Sequence, residues 1–308
     1  MMTSTSLGSI HSFPKFEDGA DATRFDEIFS KFQKGIESFK LSQRNNLEFA
    51  KDFLEYEVSG KSLFEQLYDL ANYDDSVINF WLHEIEILIG AGKSYRDTAE
   101  MLNTLLESCN DEGPYNYAFA TENFWVGVSS DLHVANYFDV CSKNSKKFKF
   151  GVKNEFQFVE RAKNIYEHLQ FHEDFSKTLT TIKSGTYDDY LDQFSHAFNT
   201  LNQAYHLISN KPESNEEDLI VIRETSSRLG HHLECTRQAK NKKTYCFPSD
   251  DEVGKYEEVN CEYHLKLNHN DRGQKLSPKK YNRAYFGLKY SSKYRRKIIK
   301  LAHLGEHW

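Results

Sequence analysis

Three short runs near the C-terminus alternate apolar and polar residues with period two: CEYHLKL at 261–267, NRAYFGLKY at 282–290 and KIIKLAHL at 297–304. Period two marks strands with one buried face, and the polar stretches NHNDRGQKLSPKK and KYRRK supply the turns between them. Consecutive strands joined by short polar loops predict an antiparallel sheet. The same period sorts the side chains. Glu262, His264 and Lys266 fall opposite Cys261, Tyr263, Leu265 and Leu267. Arg283, Tyr285 and Lys289 fall opposite Ala284, Phe286 and Leu288, and Ile299, Leu301 and His303 fall opposite Ile298, Lys300 and Ala302. One face is expected to be apolar and the other to collect His, Lys, Arg and Tyr.

The chain before this sheet has a helical pattern. Phe25, Ile28, Phe29, Phe32, Ile36 and Phe39 step by three and four and draw one apolar stripe. A second helix is expected to start at a Ser76 cap, carry Ile78, Leu82, Ile85 and Ile89 on one face and stop at Gly90. A third is expected over 95–107. Residues 109–152 leave short strands and broken helices equally open. Helical spacing resumes over 156–170. Tyr187, Leu191, Phe194, Phe198, Leu201, Tyr205 and Ile208 then form a heptad-like seam, read as the buried face of a bundle helix.

The stretch SNKPESNEED at 209–218 has linker composition, and the charge changes sign after it. Residues 1–220 hold 20 Lys+Arg against 36 Asp+Glu, a net of −16, whereas residues 221–308 hold 19 against 10, a net of +9. The expected fold is α+β: a loose arm over 1–20, a mainly helical acidic domain over 21–210, and a small basic antiparallel-sheet domain over 219–308.

No run approaches the ~20 apolar residues of a membrane helix, and the N-terminus lacks the basic and apolar segments of a signal peptide. The five cysteines are odd in number, widely spaced and without a CxxC pair, which reads as reduced thiols in a cytoplasmic protein.

A sheet face rich in cations and aromatics suits RNA. Lys and Arg neutralise phosphates and aromatic rings stack on unpaired bases. Lys266, Lys279, Lys280, Tyr285, Arg295 and Arg296 are the candidates for such contacts. Cleavage without a metal needs an acid, a base and a cation at the phosphorane, and histidine is the natural acid and base near neutral pH. His303 and His307 are the candidates, with no cofactor required. A solvated face carrying charge for solubility is the alternative reading of the same residues. Cys261 and His264 have the spacing of half a zinc site, but no second half matches it. Glu262 and Lys266 are four residues apart, too far for a nuclease Glu-x-Lys pair. His168 and His172 would share a helix face if that run stays helical.

The run NRAYF, followed after a basic loop by KIIKLAHLGEHW, resembles the end of RelE/ParE-superfamily toxins over roughly residues 219–308. The resemblance implies a toxin or phage-defence setting, with RNA or the ribosome as partner and metal-independent RNA cleavage as the activity. On it, Arg283 matches the strand arginine that stabilises the phosphorane and His303 the histidine of the closing turn. Trp308 falls at the position of a terminal tyrosine, as a stacking platform. The chain departs from the pattern at Leu304, where active ribonucleases of the family carry a second arginine, and at Ala302 and Asn282. The acidic body would then be a sensor, an inhibitor or a surface for a partner protein. The alternative is a non-catalytic nucleic-acid- or protein-binding subunit of a bacterial defence complex.

Overall fold

A computed structural model of the chain describes residues 4–13, 16, 22–107, 115–122, 125–148, 151–213, 215–239 and 242–307. Contacts divide the chain into two units, Met1–Lys143 and Asn144–Trp308.

In the first unit the elements run β1 (Thr5–Gly8), α1 (Ala22–Phe39), β2 (Asn46–Phe49), α2 (Leu63–Leu70), α3 (Asp75–Gly90), α4 (Thr98–Glu107), β3 (Asn116–Phe119) and β4 (His133–Val134). Helix α5 (Tyr137–Lys147) follows, and the division falls inside it. The strands form a parallel sheet in the order β2-β1-β3-β4. Parallel neighbours need crossovers, and the helices supply them while burying the sheet. The α1 stripe behaves as the spacing predicts: Phe25, Ile28, Phe32 and Phe39 are buried, in one core with Phe49, Phe53, Trp81 and Phe119. Helix α3 ends at Gly90, but its cap is Asp74, whose carboxylate accepts the Ser76 and Val77 amides. A Ser62–Glu65 capping box starts α2.

The segment 1–20 is not wholly a loose arm, because β1 lies inside the sheet. The body is mainly helical, as the spacing predicts, but its helices flank a parallel sheet that the helical reading did not include. Its strands are two to four residues long, too short for a period-two signal to emerge.

The second unit runs α6 (Glu155–Ile165), β5 (Leu169–Phe171), α7 (Phe175–Thr178), α8 (Leu191–Ala204), α9 (Asn215–Arg228), β6 (Cys235–Arg237), β7 (Thr244–Pro248), β8 (Tyr256–Asn260), β9 (Tyr263–Leu267), β10 (Asn282–Ser291) and β11 (Arg296–Gly305). A five-stranded sheet has the order β5-β11-β10-β9-β6. Strand β5 joins β11 in parallel and the other pairs are antiparallel, so the sheet is mixed. One face carries Leu265, Phe286, Ile299, Leu301 and Leu304 into a core filled by Phe158, Tyr166, Phe194, Phe198 and Ile222. The seam expected on α8 is therefore core, with Tyr187, Phe194, Phe198, Leu201 and Ile208 all buried. Helix α8 has no cap of its own. Asp271, from the loop before β10, accepts the amides of Asp192 and Gln193 instead, at 2.9 and 3.1 Å.

The second unit also departs from expectation. The contact division at 143/144 lies well before 209–218, and that stretch sits within the second unit. There Asp218 is buried and accepts the Ser209 amide at 2.7 Å. The charge contrast survives the change. Residues 1–143 hold 11 Lys+Arg against 24 Asp+Glu, a net of −13, and residues 144–308 hold 28 against 22, a net of +6. His168 and His172 do not share a helix face, because α6 ends at Ile165 and β5 lies between them.

Candidate functional site

Register brings four of the expected residues to one end of the sheet. Arg283 on β10 pairs with Lys266 on β9 and Gly305 on β11. One pleat further, Tyr285 pairs with His264 and His303. A bulge sets the third strand: after Tyr285↔His303 the register jumps to Phe286↔Leu301. Ala302 is the extra residue. It packs with Phe247, Val259 and Cys261, while Leu301 and Leu304 stay in the main core. The bulge thus moves His303 off the side of Ile299 and Leu301, where strict alternation placed it, onto the side of Tyr285. Ring centroids lie 5.8 Å apart between Tyr285 and His303 and 5.0 Å apart between Tyr285 and His264. The exposed His307 completes the group, its Nδ1 3.5 Å from the Tyr285 hydroxyl.

The electrostatics of this cluster are unusual. Arg283 is only 7% exposed. Its Nη1 donates to the Tyr281 carbonyl at 3.5 Å and its Nε has no hydrogen-bond partner. Among the described residues no carboxylate pairs with it, and burial works against its charge, offset only in part by Tyr285 and Tyr281. His264 is 3% exposed. Its Nε2 lies 3.0 Å from the Thr236 hydroxyl and its Nδ1 has no partner. Burial, then the nearby Arg283, Lys266 and His307, push its pKa down to about 3. His303 is held down to about 4 by burial. Its Nε2 sits 3.1 Å from the Glu306 carbonyl, which can only accept, so that nitrogen carries the proton. Both rings are neutral at neutral pH.

The remaining candidates are distributed less favourably. Lys266 is already paired with Glu234 at 2.6 Å. Glu262 is held by Arg237 and Lys242, apart from Lys266. Lys279 and Lys280 lie on an exposed turn just before β10. Arg295 and Arg296 lie at the opposite end of the β10–β11 hairpin. Arg296 pairs with Ser291, eight residues along β10 from Arg283, roughly 26 Å at strand rise. Arg296 is also committed internally, its guanidinium 3.7 Å from the Tyr205 ring centroid and bonded to the Tyr205 carbonyl. Trp308 lies outside the described residues. Leu304 is a fully buried core side chain, and Asn282 is structural, exchanging hydrogen bonds with the Lys183 backbone.

The polar face is not an open platform. The β7–β8 ribbon covers its middle. A Cβ at Gly287 would lie 2.5 Å from Val259 Cγ1, so only glycine permits this approach. Beneath the ribbon Lys300 is fully buried between Asp250 and Glu257, at 2.7 and 2.8 Å. Asp251 accepts from Ser291, Ser292 and Lys293, which holds its carboxyl well below the usual range and fixes the hairpin turn. Cys261 faces this ribbon and not the side of Tyr263. Burial raises its thiol to about 12. Among the described residues no group of three His, Cys, Asp or Glu is placed to hold a metal ion.

Sequence reasoning placed His264 beside Lys266 but gave it no part in the site, and it passed over Thr236. The alternation was sufficient to align His264 with Lys266. What it lacked was the β9–β10 register, which sets His264 against Tyr285. A separate groove of about 670 Å³ in the first unit runs along the β2 edge between Ile36, Leu47, Ile87 and Tyr95.

Fold and site together define a mixed α/β protein of two units, the second carrying the buried Arg283 beside a cluster of tyrosine and neutral histidines at one end of its sheet. No protein-family model matches the chain, nor does any curated protein or solved structure. No helix among the described residues is long and apolar enough to cross a membrane.

Proposed function

We propose that the second unit is an RNA-binding domain of a cytoplasmic toxin or phage-defence protein of RelE-like type, and that the cluster around Arg283 is where it meets a phosphate. The observation that carries this reading is the buried Arg283 guanidinium, which has no carboxylate among the described residues to offset it. A buried cation without a counter-charge is costly, and an anionic ligand removes that cost. In the catalytic form of the proposal, His303 accepts the 2′-hydroxyl proton, the 2′-oxygen attacks phosphorus, and the 5′-oxygen leaves with a proton from the exposed His307. Arg283 neutralises the non-bridging oxygens. Lys279 and Lys280 extend the positive surface along the RNA. The acidic first unit is the regulatory or partner-binding part, and ribosome-associated RNA is the natural substrate.

A second reading, of docking without cleavage, is favoured by two observations. Leu304 is buried in the core, so no second arginine stands beside His303. The low pKa of His303 also makes it a weak base. Incubating the purified chain with RNA in the presence of a chelator separates the readings. Cleavage that Arg283→Ala abolishes supports the ribonuclease. RNA that is bound but intact supports docking. RNA neither bound nor cut removes both.

A further inference from the structure

We infer that the first unit pairs with a second copy of this chain, α3 against α3, antiparallel about a twofold axis between His83 and Glu84. Helix α3 is apolar on two opposite sides. Ile78, Trp81, Ile85 and Ile89 are buried on one of them. Phe80 and Ile87 lie on the other, seven residues apart and so nearly in line along the helix, and they are 61% and 59% exposed. One apolar stripe is enough to seat a surface helix on its own core. A second stripe of large side chains left open to water marks a contact with another molecule.

The order of residues in the stripe specifies that molecule. Phe80 stands three residues before His83, and Ile87 three residues after Glu84. Between them His83 is exposed and Glu84 half-buried. Two copies laid antiparallel about the point between His83 and Glu84 therefore set Phe80 against Ile87 of the partner subunit and His83 against Glu84 of the partner subunit. Each pairing occurs twice, as an isologous contact requires. Apolar meets apolar, and an imidazole N–H meets a carboxylate. The second pairing matters because residues 1–143 carry 11 Lys+Arg against 24 Asp+Glu, and two acidic surfaces approach one another only where complementary groups face each other. The groove of the first unit completes the fit. It opens beside Ile87, between Ile36, Leu47 and Leu88, and its volume of about 670 Å³ admits the ring of Phe80 of the partner subunit.

Sedimentation equilibrium of the full-length chain tests this. A reversible dimer with twice the 36.0 kDa of the chain is expected. Phe80→Asp and Ile87→Asp, both at exposed positions, are each expected to weaken it at least about tenfold, with circular dichroism confirming that the variants keep their fold. His83→Glu sets carboxylates against each other across the axis and is expected to weaken the dimer as well. Adding Glu84→Lys to the same chain restores opposite charges and is expected to recover it, a recovery specific to the antiparallel register. A chain that stays monomeric up to its solubility limit overturns the inference and leaves the groove to another occupant. A dimer that Phe80→Asp and Ile87→Asp leave intact forms through another surface and overturns it too. A loss on His83→Glu that Glu84→Lys does not recover overturns the antiparallel register.

Discussion

Asp218 and Lys297 form an ion pair in which each side chain is only 1% exposed. Asp218 lies in the first turn of α9 and Lys297 near the start of β11, so the pair ties the helix to the sheet. A buried pair contributes little relative to apolar residues of the same size, but breaking one partner strands the other charge. Lys297→Met and Asp218→Leu are each expected to destabilise the protein by about 3–5 kcal/mol. The double variant is expected to recover most of that loss. Urea denaturation of the four proteins measures it, and strict additivity of the two single losses would contradict this view.

Arg283 should show the opposite trade. With no carboxylate partner, its guanidinium is a cost to the free protein. Arg283→Met keeps the apolar stem and removes the charge, and is expected to raise stability by about 1–3 kcal/mol while weakening RNA binding. Denaturation midpoints read the first effect and RNA titration the second. A variant that lost stability would show that Arg283 has a structural partner.

The domain division makes a further prediction. Residues 219–308 alone lack β5, α6 and α8, and with them Phe158, Tyr166, Phe194, Phe198 and Leu201 of the core. Residues 144–308 retain the whole cluster. The longer fragment is expected to melt cooperatively and the shorter one to lack a cooperative transition, as followed by circular dichroism.

Acid should weaken the second unit. Burial holds His196 and His303 down to about 4 and His206 and His264 down to about 3. Above the ordinary value of 6.5 these rings are neutral in both states and their contribution is complete. Between 6.5 and the folded values the unfolded chain takes up protons that the folded chain refuses, so stability falls with pH and is lost as pH drops through 4 to 3. Denaturant midpoints at pH 7.5 and 5 check the sign. Replacing His206 by Gln is expected to flatten the slope by about one proton.

The parts of the fold that were legible in the sequence are those whose signal is local. Strands β9, β10 and β11 announce themselves because alternation runs over several residues and polar loops bound it. The α1 stripe and the α8 seam are equally plain. Strand β5, by contrast, is three residues long and pairs with a strand more than a hundred positions away, and no local period reports that. The stretch 209–218 looks like a linker because most of it is polar, yet one buried carboxylate in it anchors the unit. The division inside α5 leaves no linker signal, since a helix runs through it, and the change in net charge across it is too gradual along the chain to fix its position. In the site, residue types were legible and their company was not. Arg283, Tyr285 and Lys266 could be placed on one face, but His303 reaches that face only through the bulge at Ala302. Arg295 and Arg296 were grouped with the cluster by charge and are separated from it by the length of the hairpin.

The central claim is that Arg283 is held ready for a phosphate. Titrating single-stranded RNA into the full-length chain and its Arg283→Gln variant over a range of salt concentrations tests it most directly. The account predicts binding that weakens steeply with salt, and a variant at least about tenfold weaker with a shallower salt slope. Identical affinity and slope for the two proteins would contradict it.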